Sequence, residues 1–282
     1  MLGHRVLCTY KPKGVVRVKF IVSLFCFLLL VACTARSPTP KPAENFKSYI
    51  KYVNARFSAA LNKTFDPADP RPKLLLIGDS QAKDFLNSAQ EHGYFNRYQV
   101  SMRYISSLCQ IFLGSAQHSG VAKHRRMPCQ KADNLQRALP QIAEADVIIF
   151  SGLWRKWAIK QLPSTIRNLR LRPSQKLVVV GRKSYSPITM SAYKSLPMAE
   201  RVKKRSRIDR RFLTVNTDML SWLTSTRFVD QYSLVCGVGS HSCPIFTPEG
   251  EFITFDGGHL TKAGARYFGR LLFQSTALKG LL

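Results

Sequence analysis

The sequence predicts an α/β fold, a mainly parallel sheet with helices packed on both faces. Three observations carry this expectation. Short apolar runs alternate with stretches of helical periodicity along most of the 282 residues. The first run of the body ends in Gly78-Asp79-Ser80, the composition of a strand-to-helix turn. The last helical pattern is entered through Asp256-Gly257-Gly258-His259-Leu260-Thr261. Alternation of this kind implies right-handed crossovers, and these place consecutive strands parallel with helices on both sides.

The chain opens on a targeting pattern rather than on the fold. The first 19 residues carry five basic side chains and no acid, and an apolar run follows from Phe20 to Ala32. That is a basic region followed by a short hydrophobic one, shorter than the ~20 residues that span a bilayer comfortably. It ends in Leu30-Val31-Ala32-Cys33, which resembles the lipobox of bacterial lipoproteins. The resemblance implies cleavage before Cys33 and acylation of its sulfur. An uncleaved anchor helix reaching upstream over Gly14-Val15-Val16 is the other reading. Both place the body outside the cytoplasm, anchored to the envelope and facing the periplasm or the exterior. The expected organisation is therefore a signal over 1–32, a tether over 33–43 containing Ser37-Pro38-Thr39-Pro40-Lys41-Pro42, and an α/β domain over 44–282.

Within that domain, Phe46, Ile50, Val53, Phe57 and Leu61 fall at helical spacing over 44–63. Lys73 to Ile77 is a continuous apolar run, as expected of a strand buried on both faces. Further strands are predicted at 98–105, 146–150, 176–180 and 227–230. Helical patterns near 82–91, 132–144, 161–170, 209–224 and 262–276 fill the intervals. The basic run 201–207 reads most simply as a solvated helix face, and otherwise as a contact for an anionic glycan or headgroup.

Lys and Arg number 43 against 16 acids, a formal net charge of +27. Such a balance favours anionic partners. No zinc finger, RNA-binding signature or aromatic-basic ladder accompanies it, so nucleic acid is not the expected partner. Four of the seven Cys lie in the domain: Cys109, Cys129, Cys236 and Cys243. An even count in an exported chain reads as disulfides. The local pairing Cys109–Cys129 and Cys236–Cys243 closes the shortest loops. A zinc site is the rival, because His118 and His124 lie between the first two Cys, but the spacing matches no familiar knuckle.

Ser80 is the candidate nucleophile. In open α/β sheets the site lies beyond the carboxyl ends of the strands. A Ser at the first strand's end meets unpaired N–H groups of a helix amino terminus, suited to a developing oxyanion. The plainer reading makes Ser80 a helix cap. Asp256 and His259 favour the first reading. Three residues apart in a Gly-rich turn, a carboxylate can fix the imidazole tautomer and leave its other nitrogen to take the Ser80 proton. Thr261 is the expected cap of the last helix. Trp154 and Trp157 follow the third strand and suit sugar stacking or core packing equally. Arg155 between them suits an acidic sugar or plain solvation.

On these motifs the chain resembles the SGNH (GDSL-type) hydrolase superfamily over roughly 70–275. It is most similar to exported SGNH domains that work with membrane acyltransferases O-acetylating surface glycans. The matching residues are Gly78-Asp79-Ser80 and Asp256-Gly257-Gly258-His259-Leu260-Thr261, and the Cys pairs and a Trp after the third strand also fit. The resemblance implies a flavodoxin-like three-layer sandwich with a five-stranded sheet. It implies serine chemistry on small acyl esters by Ser80, Asp256 and His259, with no metal or cofactor. It also exposes a departure. The superfamily's Gly-x-Asn-Asp block, whose Asn donates to the oxyanion, is replaced by Ser151-Gly152-Leu153-Trp154. The expected donors are therefore the Ser80 N–H and Gly152.

The expected function is acyl transfer to, or ester hydrolysis on, a cell-envelope glycan through an acyl-Ser80. Transfer requires a separate integral-membrane acyl donor. The alternative is a degenerate SGNH scaffold that binds anionic glycan or a membrane acyltransferase. A lipase acting at lipid headgroups fits anchoring and charge but shows no apolar acyl pocket. A monomer is expected.

Overall fold

The computed structural model describes residues 46–282 apart from 115–119, 184, 209 and 225–226. The expected signal, Cys33, the tether and His118 lie outside the described residues.

Helix α1 (Phe46–Ala60) leads into β1 (Lys73–Gly78), α2 (Ser80–Gln90) and β2 (Gln99–Tyr104). Helices α3 (Arg126–Lys131) and α4 (Leu135–Glu144) precede β3 (Val147–Ser151). Then come α5 (Lys156–Asn168), β4 (Lys176–Val180), α6 (Met198–Arg201), β5 (Arg205–Arg207) and α7 (Arg210–Leu220). The chain ends with β6 (Phe228–Val229), α8 (Gln231–Cys236), β7 (Ser242–Pro244), α9 (Lys262–Leu272) and α10 (Thr276–Lys279).

Five strands form one parallel sheet in the order β2-β1-β3-β4-β6. Side chains alternate across it, as a strand's period of two requires. From β1, Leu74 and Leu76 join one apolar cluster with Phe85 and Leu86 of α2 and Phe268 and Leu272 of α9. Leu75 and Ile77 join the other, with Ile142 of α4, Ile159 and Leu162 of α5 and Met219 of α7. The fold is thus a three-layer α/β sandwich, as predicted.

The chain leaves β1 toward β2 on one side and returns to β3 on the other. This reversal opens a crevice at the carboxyl ends of β1 and β3, where ligands bind in open sheets. Gly78 is required there, because a Cβ on it would stand 1.7 Å from the Ser151 carbonyl oxygen.

Two local expectations differ from the structure. Helix α5 starts at Lys156, five residues earlier than expected, and carries Pro163 inside it. The basic run 201–207 is not one helix face. Helix α6 ends at Arg201, and β5 pairs antiparallel with β7. Arg205 donates to the Cys236 carbonyl at 2.6 Å and the Ser242 carbonyl at 2.7 Å, so it braces the loop closed by Cys236–Cys243. Cys109 and Cys129 form the other disulfide. Both local pairings are those expected, and no described thiol of these four remains for zinc.

Candidate active site

The first turn of α2 is built by Asp79. Its carboxylate caps the helix, accepting the Gln81 N–H at 2.9 Å through Oδ1. Oδ2 accepts the Leu153 N–H at 2.8 Å, joining the carboxyl ends of β1 and β3. Burial pushes the Asp79 carboxyl upward, against those two hydrogen bonds and the charges of Lys183 and Arg182. Because Asp79 does the capping, Ser80 is not the cap, and its side chain stands at the first helical position, part-exposed. The Ala82 and Lys83 N–H groups bond the Asp79 carbonyl. Gly152 lies beside this turn, 3.6 Å from Asp79 Oδ2 to a Cβ position.

The second half of the site is the turn before α9. Asp256 Oδ2 lies 2.7 Å from His259 Nδ1. Its Oδ1 accepts the N–H groups of Gly258 and His259, each at 2.7 Å. Burial acts to raise this carboxyl, but those hydrogen bonds prevail and hold it down to about 2. Gly257 sits at φ +86°, a region that side chains rarely adopt, and a Cβ there would meet the Ser186 carbonyl at 2.4 Å. Thr261 caps α9 as expected, accepting the Gly264 N–H at 3.0 Å. The His259 ring stacks on Phe255, centroids 5.8 Å apart. Phe255 in turn stacks on Tyr49 of α1 at 5.0 Å.

A buried network fastens these halves together. Asp84, one helical turn past Ser80, pairs with Lys183 Nζ at 2.7 Å, their side chains 1% and 4% exposed. Lys183 Nζ also donates to the Gly258 carbonyl at 2.7 Å. Asp84 Oδ1 accepts the Leu260 N–H at 3.2 Å. The residues on either side of His259 are therefore held by the helix that begins at Ser80. Gln81 adds a contact to the Lys183 backbone, accepting its N–H at 3.3 Å. The sequence reading missed Asp84 and Lys183. The signal was available: an acid set among Ala82, Phe85 and Leu86, on a face that must be buried.

Other candidates fall differently. Trp154 is 1% exposed, and its indole N–H donates to the Val180 carbonyl at 2.8 Å. It is a core residue, not a sugar platform, because its ring is enclosed by the carboxyl ends of β3 and β4. Trp157 packs edge-on against Phe112, centroids 5.2 Å apart, and covers Gly120. Arg155 is exposed and donates to the Ser107 carbonyl at 3.2 Å. Buried Gln110 ties this segment down, accepting the Arg155 N–H at 2.9 Å and donating to the Leu153 carbonyl at 3.1 Å.

The family model described as "SGNH domain (fused to AT3 domains)" matches residues 47–274. The chain belongs to this SGNH domain family. A solved structure described as a Salmonella ser. Paratyphi A lipopolysaccharide acetyltransferase periplasmic domain is similar, with a TM-score of 0.55 and 15% identity. The match covers 86% of this chain and 98% of that one. At that identity the likeness concerns the fold. No curated protein matches the chain. No helix among the described residues of this SGNH domain is long and apolar enough to cross a membrane.

Proposed function

We propose that this SGNH domain is a serine enzyme that moves or removes O-acetyl groups on a cell-envelope glycan, through an acyl-Ser80 intermediate. The observation that carries the reading is the Asp256–His259 contact of 2.7 Å, on a turn fastened to the helix of Ser80. With Nδ1 held by Asp256, His259 Nε2 takes the Ser80 proton as Oγ attacks the acyl carbonyl. The tetrahedral oxyanion is met by the Ser80 N–H at the amino terminus of α2, with Gly152 beside it. Collapse expels the alkoxide, which takes the proton back from the imidazolium. A sugar hydroxyl or water then attacks the acyl-serine by the same steps reversed.

The family's pairing with AT3 acyltransferase domains supports transfer, with a membrane acyltransferase supplying the acyl group. The periplasmic origin of the similar structure supports an exported domain, and the sequence pattern before it adds an anchor through Cys33 or an amino-terminal helix. One observation favours the second reading, a non-catalytic glycan-binding scaffold. Leu153, next to the position where the superfamily has Asn, gives its N–H to Asp79 instead.

Hydrolysis of a chromogenic acetyl ester separates the two. Wild-type protein is expected to exceed Ser80→Ala by at least ~10³-fold, and a fluorophosphonate is expected to label Ser80 alone. Equal rates together with absent labelling would favour the scaffold.

A further inference from the structure

A glycan-acting site needs a surface for the sugar that bears or accepts the ester. Trp154 is buried and Trp157 packs on Phe112, which leaves Tyr104 as a further exposed candidate ring. It stands on the other flank of Ser80. Tyr104 is the last residue of β2, in register with Gly78 and 36% exposed. Its register partner Gly78 comes two residues before Ser80, and burial and the Asp79 carboxylate both push the Tyr104 phenol upward. Phe57 of α1 packs edge-on to it, centroids 5.7 Å apart.

Lys83 completes the cluster. It lies three residues after Ser80, hence on the same side of α2. Its Nζ sits 3.9 Å from the Phe57 ring centroid and 5.1 Å from that of Tyr104. It donates to Asn54 Oδ1 at 2.9 Å, an amide rather than a carboxylate. Among the described residues no carboxylate lies within ion-pair distance of it, although the Asp84 charge acts on it; Asp84 itself pairs with the buried Lys183. An ammonium has three N–H donors, and the Asn54 amide takes one of them. A half-desolvated cation between two aromatic faces and beside a nucleophile gains most from an anionic partner.

We propose that Tyr104 and Lys83, braced by Phe57 and Asn54, form a subsite for an acidic sugar on the β2 flank of Ser80. The exposed Tyr104 ring stacks on the C–H face of the sugar, and Lys83 pairs with its carboxylate. The subsite rests on the glycan reading given above and names its substrate class, a carboxylate-bearing polysaccharide. The excess of 43 basic over 16 acidic residues suits the approach of such a polymer.

The test is equilibrium titration of the full chain, purified in detergent, with oligogalacturonate and with an uncharged maltooligosaccharide of equal length. The acidic oligomer is expected to bind more tightly than the neutral one. Tyr104→Ala is expected to weaken it about five- to tenfold, and Tyr104→Phe to retain it. Lys83→Met should abolish the preference for acid, and Lys83→Arg should restore it. The Lys83 pair keeps the test decisive even where Tyr104→Ala lowers the melting temperature. No acid preference in the wild type, or wild-type affinity for the acidic oligomer in both Tyr104→Ala and Lys83→Met, overturns the subsite. Fluorophosphonate labelling run in parallel separates the claims. Binding lost in the variants with Ser80 unlabelled keeps the subsite and removes the catalysis, and labelling with unchanged binding does the reverse.

Discussion

Asp256 acts on both ring and backbone, its Oδ2 on the His259 imidazole and its Oδ1 on the Gly258 and His259 N–H groups. Asparagine at this position presents an amide in place of one oxygen, and the imidazole is then held in the wrong tautomer. Asp256→Asn is expected to lower kcat on an acetyl ester by roughly 10³–10⁴, with KM little changed. The carboxyl also links stability to pH. Its folded pKa, about 2, lies below the ~3.9 of an unfolded Asp. A depressed carboxyl stabilises the fold fully above the unfolded value and loses that contribution as pH falls through the folded one. The stability difference between wild type and Asp256→Asn in urea should thus be constant above pH ~5 and shrink toward pH ~2.

Among the elements, α2 has the most demanding role. Its cap, candidate nucleophile and buried acid fall within one and a half turns: Asp79, Ser80 and Asp84. The cap serves both helix and sheet, because Asp79 also accepts the Leu153 N–H. Asp79→Ala is expected to cost more than the ~1 kcal/mol of an ordinary cap, since the part-buried Leu153 N–H just past β3 loses its partner as well. Chemical denaturation gives that number. The Cys109–Cys129 bridge staples the segment between β2 and α4 that flanks the crevice. At a sequence separation of 20, its removal by double Ser substitution is expected to cost about 3 kcal/mol.

Across the whole molecule, the Asp84–Lys183 pair connects α2, the β4 end and the turn before α9, which lie far apart in the chain. Such a pair contributes little net stability as a unit, but removing one partner strands a buried charge. Lys183→Met is therefore expected to destabilise by about 3–5 kcal/mol, read by urea unfolding. Turnover should fall with it, because the Gly258 carbonyl loses the group that positions the His259 turn. A loss under 1 kcal/mol would show that the turn is held by Asp256 and Thr261 alone.

Much of this was legible in sequence because it is local. The continuous runs at 73–77, 146–150 and 176–180 mark buried parallel strands through their periodicity. Gly78-Asp79-Ser80 and Asp256-x-x-His259 mark their turns, and the Asp256–His259 contact, through spacing within a few residues. Nearest-neighbour disulfides and the Thr261 cap follow from the same short range. What needed the tertiary structure is every choice between two fates that share one local pattern. Trp154 had equal claims as sugar platform and as core, and enclosure by the strand ends made it core. The basic run at 201–207 had the composition of a helix face, and pairing with β7 made half of it a strand. Asp84 and Lys183 lie 99 positions apart, so no local pattern couples them, and neither does one couple Tyr104 to Lys83 and Phe57. The sequence determined which residues are the candidates for the chemistry. Only the close approach of distant segments decided how they are held and which faces remain for a ligand.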